Sequence, residues 1–398
     1  MKTLSVKITD NLHYIGANDR ETHLFENLWP LDNGISYNSY ILTGEKTALL
    51  DTVKITKVDS FMMKIQSHLK GRTLDYLVIH HMEPDHSGSI RAVLELHPGV
   101  QLVGNKKTGE FLKAFYGIGD RFTEVKEGDS LDLGNTKLDF YMTPMVHWPE
   151  SMMSYERAGK ILFSQDAFGG FGALNGPIFD DEINWDFYES ETRRYYSNIV
   201  GKLAGLDISM ICPVHGPVWR SRPQKIVELY DRWSRFDTEP GVVIVYGSMY
   251  GNTAVMAEAT ARVLAEEGIS DIKLYDVSKT HVSYIINEIW KYRGLVLGSC
   301  TYNNGLFPPM SHLVNLIRMN NLKNHVLVRS HRHCGRGEVR ADGRRPGWLR
   351  GACPGDGAAS RGLMHARLRE GCASDTVGFD SKSGPLSVRK GDGGLLAL

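Results

Sequence analysis

A short segment after an apolar run concentrates side chains that bind metal ions. Residues 80–89 read HHMEPDHSGS and follow LDYLVI, a run typical of a buried strand. His81, Glu83, Asp85 and His86 have the spacing H-x-E-x-D-H. A loop at a strand end can turn such side chains toward one point, and imidazole combined with carboxylate suits iron, zinc or manganese. The segment therefore predicts a metal site.

Three further positions repeat this arrangement, in which an apolar run precedes a ligand-type side chain near Gly or Pro. They are His147 in YMTPMVHWPES, Asp166 in KILFSQDAFGG and His215 in ISMICPVHGPVW. Each one taken singly fits an ordinary turn, but four such strand ends indicate one shared metal centre. We expect a structural role for His80, because it points away from His81 if side chains alternate along an extended segment.

A different kind of loop follows the apolar run VVIV near residue 245. In YGSMYGNT, residues 246–253, Ser248, Asn252 and Thr253 offer polar groups, and Gly251 lets the backbone curl around an anion. The next residues open a helix, whose N-terminal N–H groups favour phosphate. The loop lacks both G-x-x-x-x-G-K-[ST] and G-x-G-x-x-G, which disfavours a nucleoside triphosphate or a dinucleotide.

The loop GSCTYNNG, residues 298–305, follows the third strand of the same region and lies near the expected topological switch point. An ordinary β–α turn is the alternative, but two such loops in this order favour FMN. The predicted cofactor-binding residues are Ser248, Met249, Tyr250, Gly251, Asn252, Thr253, Ser299, Cys300, Thr301, Tyr302, Asn303, Asn304 and Gly305.

The surrounding patterns predict the elements that carry these loops. Up to about residue 238, short strands with the helical segments VDSFMMKIQSHL and IRAVLEL indicate two sheets with helices outside. Beyond it, strands alternate with helices such as TAVMAEATARVLAEEG, which predicts a doubly wound parallel sheet. We place the domains at 1–238 and 239–398.

Composition narrows the class of protein. The chain has 398 residues, which suits two domains, and 46 Lys and Arg balance 46 Asp and Glu, so nothing suggests a nucleic-acid partner. We see no signal peptide and no apolar run of the roughly 18 residues that a membrane span requires. Five cysteines without framework spacing fit a reducing cytoplasm.

The pattern changes at about Val328. Residues 329–398 contain eleven Arg, fourteen Gly and three of the five cysteines, and no strand is readable there. We hypothesise that a frameshift near residue 328 alters the recorded sequence; a disordered basic tail is the alternative. No fourth strand and no third flavin loop is expected after NHVLV, so we assign no flavin contact to this stretch.

The metal motifs carry a resemblance to a known family. The chain resembles the metallo-β-lactamase superfamily, whose dizinc hydrolases have H-x-H-x-D-H, but Glu83 replaces the second His. With HWPES, FSQDAFG and CPVHGP, this exchange resembles the flavodiiron proteins (A-type flavoproteins) over residues 1–328. The resemblance implies an α/β chain with an N-terminal metallo-β-lactamase-like αββα sandwich and a C-terminal flavodoxin-like sheet. It also implies two iron sites that share Asp166, one with His81, Glu83 and His147 and the other with Asp85, His86 and His215.

The resemblance further implies a cytoplasmic oxidoreductase that reduces NO to N2O and/or O2 to water with electrons delivered through FMN. We favour NO reduction with substantial O2 reduction. A head-to-tail homodimer or dimer of dimers and a rubredoxin-type or flavoprotein electron donor are also implied. A dizinc hydrolase with a flavodoxin-like accessory domain is the alternative, against which Glu83 argues, and a pure electron carrier is a third reading.

Overall fold

The computed structural model describes residues 5–196, 206–323 and 325–331. The chain divides into two compact units, Met1–Arg235 and a second that begins at Phe236. We propose domain limits of 1–238 and 239–398, just past this division, because the first strand of the second unit begins at Glu239.

The first unit contains short strands and six α-helices among its described residues. The strands are β1 Val6–Lys7, β2 Leu12–Tyr14, β3 Ala17–Asp19, β4 Leu24–Phe25, β5 Trp29–Pro30, β6 Ile35–Tyr37, β7 Tyr40–Thr43, β8 Thr47–Leu50, β9 Tyr76–Val78, β10 Gln101–Gly104, β11 Phe122–Glu124, β12 Ser130–Asp132, β13 Lys137–Met142, β14 Met152–Glu156, β15 Ile161–Gln165 and β16 Met210–Pro213. The helices are α1 Val58–Leu69, α2 Pro84–Ser87, α3 Ile90–Leu96, α4 Lys106–Tyr116, α5 Trp185–Tyr195 and α6 Pro223–Ser234.

Two sheets form the centre of this unit, as the sequence predicts. One has the order β1-β2-β7-β8-β9-β10-β11, and the other has the order β12-β13-β14-β15-β16. Tyr40 of β7 packs against Phe163 of β15, with ring centroids 5.6 Å apart, and its hydroxyl donates to the Pro213 carbonyl. These contacts join the two sheets face to face, in the αββα arrangement.

Helix α1 covers the larger sheet. Its apolar residues Phe61, Ile65 and Leu69 recur every four positions and are buried, because that spacing places them on one helix face. They join a core that includes Leu49 and Leu77 of the sheet. Burial of each such side chain contributes about 1.5–3 kcal/mol. Both helical segments predicted in this unit are confirmed, as α1 and α3.

The second unit is a parallel sheet with helices between its strands. Its elements are β17 Glu239–Gly247, α7 Asn252–Glu266, β18 Ile272–Asp276, α8 Val282–Lys291, β19 Tyr292–Ser299, β20 Thr301–Tyr302, β21 Gly305–Leu306, α9 Pro308–Met319 and β22 Val326–His331. The strand order β18-β17-β19-β22, with every pairing parallel, is that of a flavodoxin-like sheet. None of the helices described in either unit combines the length and apolar character that a bilayer crossing requires.

Strand β22 corrects one expectation. A fourth strand exists, because the apolar VLV of NHVLV itself pairs with β19, and the pairing continues from Val326 to His331. Backbone hydrogen bonds form this ladder, so it does not require the alternating side-chain pattern that the sequence lacks here. Most of the stretch assigned to a frameshift, from residue 332 onward, lies outside the described residues.

Candidate functional site

The segment HHMEPDHSGS is not a plain loop. It contains the one-turn helix α2, with Pro84 at its first position, where a missing N–H is tolerated. The backbone of this turn is fixed by Thr52, whose Oγ1 donates to the His86 carbonyl oxygen at 2.5 Å. Ser87 Oγ donates to the Glu83 carbonyl oxygen at 3.0 Å. These bonds hold the ligand-type side chains on either side of Pro84 in fixed directions.

The smaller sheet delivers the other predicted ligands. Asp166 follows β15 directly, His215 lies two residues after β16, and His147 comes five residues after β13. All three strands belong to the sheet that packs on β7, while β9, which precedes HHMEPDHSGS, belongs to the other. The site therefore forms where strand ends of the two sheets meet.

All seven predicted metal ligands come together in two groups. The first group is His81, Glu83, His147 and Asp166, and the second group is Asp85, His86 and His215. Within each group, one ligand atom per residue lies within 4.8 Å of the others. Side-chain exposure is at most 11% in this set except at His147, where it is 26%. The groups are thus buried and open toward His147.

In the first group, two imidazole nitrogens face two carboxylate oxygens. His81 Nε2 lies 3.3 Å from Glu83 Oε2 and 3.1 Å from Asp166 Oδ2. His147 Nε2 lies 3.1 Å and 2.9 Å from the same two oxygens. Atoms about 2.1 Å from one ion and at right angles about it lie about 3.0 Å apart. The observed separations therefore fit a single ion.

In the second group, Asp85 faces two imidazoles. Its carboxylate oxygens lie 3.4 Å from His86 Nε2 and 3.4 Å from His215 Nε2, and these two nitrogens are 3.0 Å apart. Two imidazole nitrogens and a carboxylate that converge in this way form a second possible ion site.

Asp166 belongs to both groups. Its Oδ2 is the oxygen that faces His81 and His147, while its Oδ1 lies 3.5 Å from both His86 Nε2 and His215 Nε2. One carboxylate therefore directs one oxygen toward each group. This is the arrangement expected of a ligand that bridges two metal ions.

The chemistry of these atoms fits bound cations. Five buried atoms of these groups have no hydrogen-bond partner among the described residues. They are both carboxylate oxygens of Asp85, both carboxylate oxygens of Asp166, and His147 Nε2. Buried polar atoms are normally paired, and an unpaired one costs about 1–3 kcal/mol. A metal ion in each group would satisfy all of these atoms.

The electrostatics agree. Burial by itself lowers the pKa of His147, but the carboxylates of Asp166 and Glu83 outweigh it and raise that pKa to about 10. Burial likewise opposes protonation of His81, yet Asp166 raises its pKa well above the usual value. The site holds an excess of negative charge that only protons or metal cations can neutralise.

Hydrogen bonds behind the ligands orient two of the imidazoles. His81 Nδ1 donates to Glu150 Oε1 at 2.8 Å, and His215 Nδ1 donates to the Ser36 carbonyl oxygen at 2.6 Å. Each bond keeps the proton on Nδ1 and leaves the Nε2 lone pair free for a metal ion.

His80 points the other way, as side-chain alternation predicts. Its Nδ1 donates to Asp51 Oδ2 at 2.7 Å, and its Nε2 lies 2.8 Å from Ser154 Oγ. All three side chains are buried. His80 thus ties the ligand segment to both sheets and takes no part in the metal groups.

Sequence reasoning missed the role of one residue near the site, Glu150. Glu150 lies in HWPES, from which only His147 was assigned, and the signal was a carboxylate three residues after a ligand. Tyr195 ends α5, and its ring packs edge-on against His215 with centroids 5.3 Å apart. Burial, and next the negative charge of Asp166, raise the pKa of the Tyr195 hydroxyl well above its usual value.

The two predicted flavin loops lie side by side in the second unit. Gly247 at the end of β17 pairs with Ser299 at the end of β19, so both loops leave the same edge of the sheet. Gly251 is the N-cap of α7 at a φ of 91°, and its N–H donates to Ser248 Oγ at 3.0 Å. Tyr250 is 89% exposed.

The second flavin loop is more ordered than the sequence predicts. Strands β20 and β21 form a small hairpin, with Asn303 and Asn304 at its turn. Both asparagines have positive φ, a conformation that Asn tolerates better than most residues.

Comparisons with known proteins agree with this arrangement. Residues 35–216 match the model described as "ODP family beta lactamase", and residues 244–328 match the flavodoxin model. The anaerobic nitric oxide reductase flavorubredoxin of Vibrio vulnificus is 33% identical over 336 residues, which cover 79% of this chain and 67% of that protein. An uncharacterized protein of Methanocaldococcus jannaschii is 34% identical over 320 residues, which cover 77% of this chain and 80% of that protein.

The same relationship appears among solved structures. Rubredoxin oxygen:oxidoreductase of Desulfovibrio gigas superposes with a TM-score of 0.76 at 31% identity, over 82% of this chain and 84% of that one. The chain belongs to the flavodiiron protein family. The flavodiiron protein of Giardia intestinalis also superposes with a TM-score of 0.76, at 26% identity over 82% of each chain. In the chain described here, the match to the flavodoxin model ends at residue 328, the position where the sequence pattern changes.

Proposed function

We propose that this flavodiiron protein reduces NO to N2O and O2 to water at a pair of iron ions, with electrons supplied through FMN. The observation that most supports a two-metal centre is the position of Asp166, with one oxygen toward each ligand group. The names of two similar proteins support the substrates, since one is a nitric oxide reductase and the other a rubredoxin oxygen:oxidoreductase.

The ligand set favours iron over zinc. Glu83 supplies a hard carboxylate in the first group, next to His81 and His147, and hard oxygen ligands shift preference toward iron. Four neutral imidazoles and three carboxylates carry a charge of −3 and offset most of the charge of two divalent ions. Asp85, His86 and His215 would hold the second ion, and Asp166 would contact both.

The electron count suits the pairing of cofactors. Two NO molecules require two electrons and two protons to give N2O and water, and O2 requires four of each to give two waters. When bound, reduced FMN and a diferrous pair each supply two electrons. The protein has to hold both groups, admit a small gas and limit access of other reactants.

Aromatic side chains cover the second metal group, whereas the first group is more exposed to solvent at His147. Phe25, Phe171 and Tyr195 pack edge-on against one another, with centroids 5.0–5.6 Å apart, and Phe25 and Tyr195 also contact the ring of His215. These three rings form an apolar wall behind the second group. A gas would enter at His147, the most exposed of the proposed ligands.

We further propose that residues 248–253 hold the FMN phosphate and that residues 299–305 border its ring system. The N-terminus of α7 supports the first assignment, because its N–H groups and helix dipole favour an anion. Electron transfer would occur within a head-to-tail homodimer or dimer of dimers, with a rubredoxin-type or flavoprotein donor.

A single-turnover experiment tests this function. The FMN-loaded, iron-loaded full chain is reduced anaerobically and mixed with NO or with O2, while flavin absorbance, gas consumption and N2O are followed. We expect rapid flavin reoxidation in wild type and a large loss of rate in Asp166→Ala. Equal rates in both proteins would show that the metal groups take no part. Lactam or thioester hydrolysis by zinc-loaded protein without gas consumption would support the hydrolase instead.

A further inference from the structure

A fully buried carboxylate lies directly behind the first metal group. Glu150 has an exposure of 0%, and its Oε1 accepts hydrogen bonds from His81 Nδ1 and from the Met82 backbone N–H, both at 2.8 Å. Its other oxygen, Oε2, has no hydrogen-bond partner among the described residues. The His81 ring is therefore held between Glu150 on one side and Asp166 on the other.

The second metal group has no equivalent among the described residues. His215 Nδ1 donates to a neutral backbone carbonyl, that of Ser36, and His86 Nδ1 is buried without a described partner. A carboxylate behind a ligating imidazole fixes the ring and raises its basicity. The two groups thus differ in the charge that supports their imidazoles.

Glu150 also links two ligands of the same group. It lies three residues after His147 in the segment HWPES, and its backbone carbonyl accepts a bond from Asn105 Nδ2 at 2.5 Å. The segment that contains the ligand His147 therefore also anchors the ligand His81. It does so through the His81 ring and through the backbone N–H of the next residue, Met82. Displacement of this segment would disturb both imidazoles of the first group together.

We propose that Glu150 is a positioning residue that makes the group of His81, Glu83, His147 and Asp166 the tighter of the two metal positions and the first to fill. The inference rests on the proposed two-metal function. A purely structural role would require only an acceptor for the Met82 N–H, which a glutamine oxygen also provides. Glu150 is charged although one of its buried oxygens has no hydrogen-bond partner among the described residues. This charge supports the imidazole of His81.

The variant Glu150→Gln isolates this charge, because it preserves shape and one acceptor oxygen. Its matched control is Glu156→Gln, at a buried glutamate that ends β14, the strand that follows the segment of Glu150. Glu156 binds Thr136 and the backbone N–H groups of Ala158 and Gly159, not the proposed ligands. Both changes remove one buried negative charge, so a general effect of charge removal appears in both variants.

The test is an anaerobic titration of metal-stripped full chain with Co²⁺ in competition with a chromophoric chelator. We expect two binding steps in wild type and in Glu156→Gln. In Glu150→Gln the tighter step weakens by about 10–100-fold, and the weaker step changes by less than about threefold. Thermal unfolding of the stripped proteins serves as the structural readout. Glu156→Gln loses at least one hydrogen bond, because its amide nitrogen cannot accept from Ala158 or Gly159, so its Tm should fall at least as far as that of Glu150→Gln.

Unchanged steps in Glu150→Gln, or equal weakening of both steps, would overturn the inference. If Glu150→Gln does not fold, Glu150→Asp replaces it: the charge remains, so the two-step order must persist, and its loss would contradict the proposed role of charge. A wild-type chain that takes up fewer than two Co²⁺ ions would overturn the two-metal function itself, and the inference with it.

Discussion

Asp166→Asn is the substitution that separates a shared ligand from an ordinary one. The side chain keeps its shape, and its amide oxygen can still bind one ion, but the amide nitrogen cannot bind a second. Because Oδ2 faces the first group and Oδ1 faces the second, we expect both metal-binding steps to weaken. Glu83→Gln, which removes a carboxylate that faces only His81 and His147, should weaken one step.

The magnitude follows from the charge that is lost. At an effective dielectric constant of about 20, a unit charge about 4 Å from a unit cation contributes about 4 kcal/mol. The retained amide oxygen and entering water offset part of this contribution, so we take half of it, about 2 kcal/mol per step. That corresponds to about 30-fold weaker binding at each position. Each oxygen of Asp166 faces a different group, so both ions lose part of this contact, whereas the Glu83 carboxylate lies beside the first group alone.

The assay is a competition titration of the metal-free full chain, performed on wild type, Asp166→Asn and Glu83→Gln. Weakening of both steps in Asp166→Asn and of one step in Glu83→Gln is the predicted pattern. If Asp166→Asn affects a single step, the carboxylate is not shared, and the assignment of Asp166 as a bridge is wrong.

Three further predictions concern the flavin loop and the stability of the fold. Gly251→Ala places a side chain at a φ of 91°, which costs about 1–2 kcal/mol. FMN should therefore bind about 5–30-fold more weakly in a titration followed by flavin fluorescence. Unchanged affinity would contradict the proposed phosphate site at residues 248–253. Asp51→Asn, at a φ of 54° that Asn tolerates, removes a charged acceptor from His80 and should lower the free energy of unfolding by about 1.5–3 kcal/mol in urea titrations. Burial, and next the neighbouring positive groups, lower the pKa of His68 in the folded chain. The unfolded chain therefore binds more protons than the folded chain at mildly acidic pH. As a result, the free energy of unfolding falls as the pH drops below about 6.5. His68→Gln should flatten that dependence between about pH 6.5 and 5, and an identical slope in the variant would refute this cause.

The grouping of the seven candidate ligands could be predicted from the sequence, because these residue types are rare together at such spacing. Four strand ends that each carry a ligand-type side chain constrain the structure strongly, and all seven side chains lie in two adjoining groups. The same holds for the sheet of the second unit, since alternating strands and helices admit few topologies. The order β18-β17-β19 placed both flavin loops at one edge, as expected.

Features that depend on three-dimensional contact were not predictable in this way. Glu150 contacts His81 across 69 residues of sequence, and no local pattern records such a pairing. The turn of α2 contains only four residues, too short for helical periodicity to show. Strand β22 extends past Val328 through backbone pairing with β19, although the side-chain pattern ends there.

The metal content of anaerobically purified protein tests the central claim most directly. We predict two irons and little zinc per chain after expression in iron-sufficient medium, because Glu83 and the shared Asp166 give the centre hard oxygen ligands. Two zincs and little iron, persisting when iron is plentiful during expression, would contradict a redox di-iron centre.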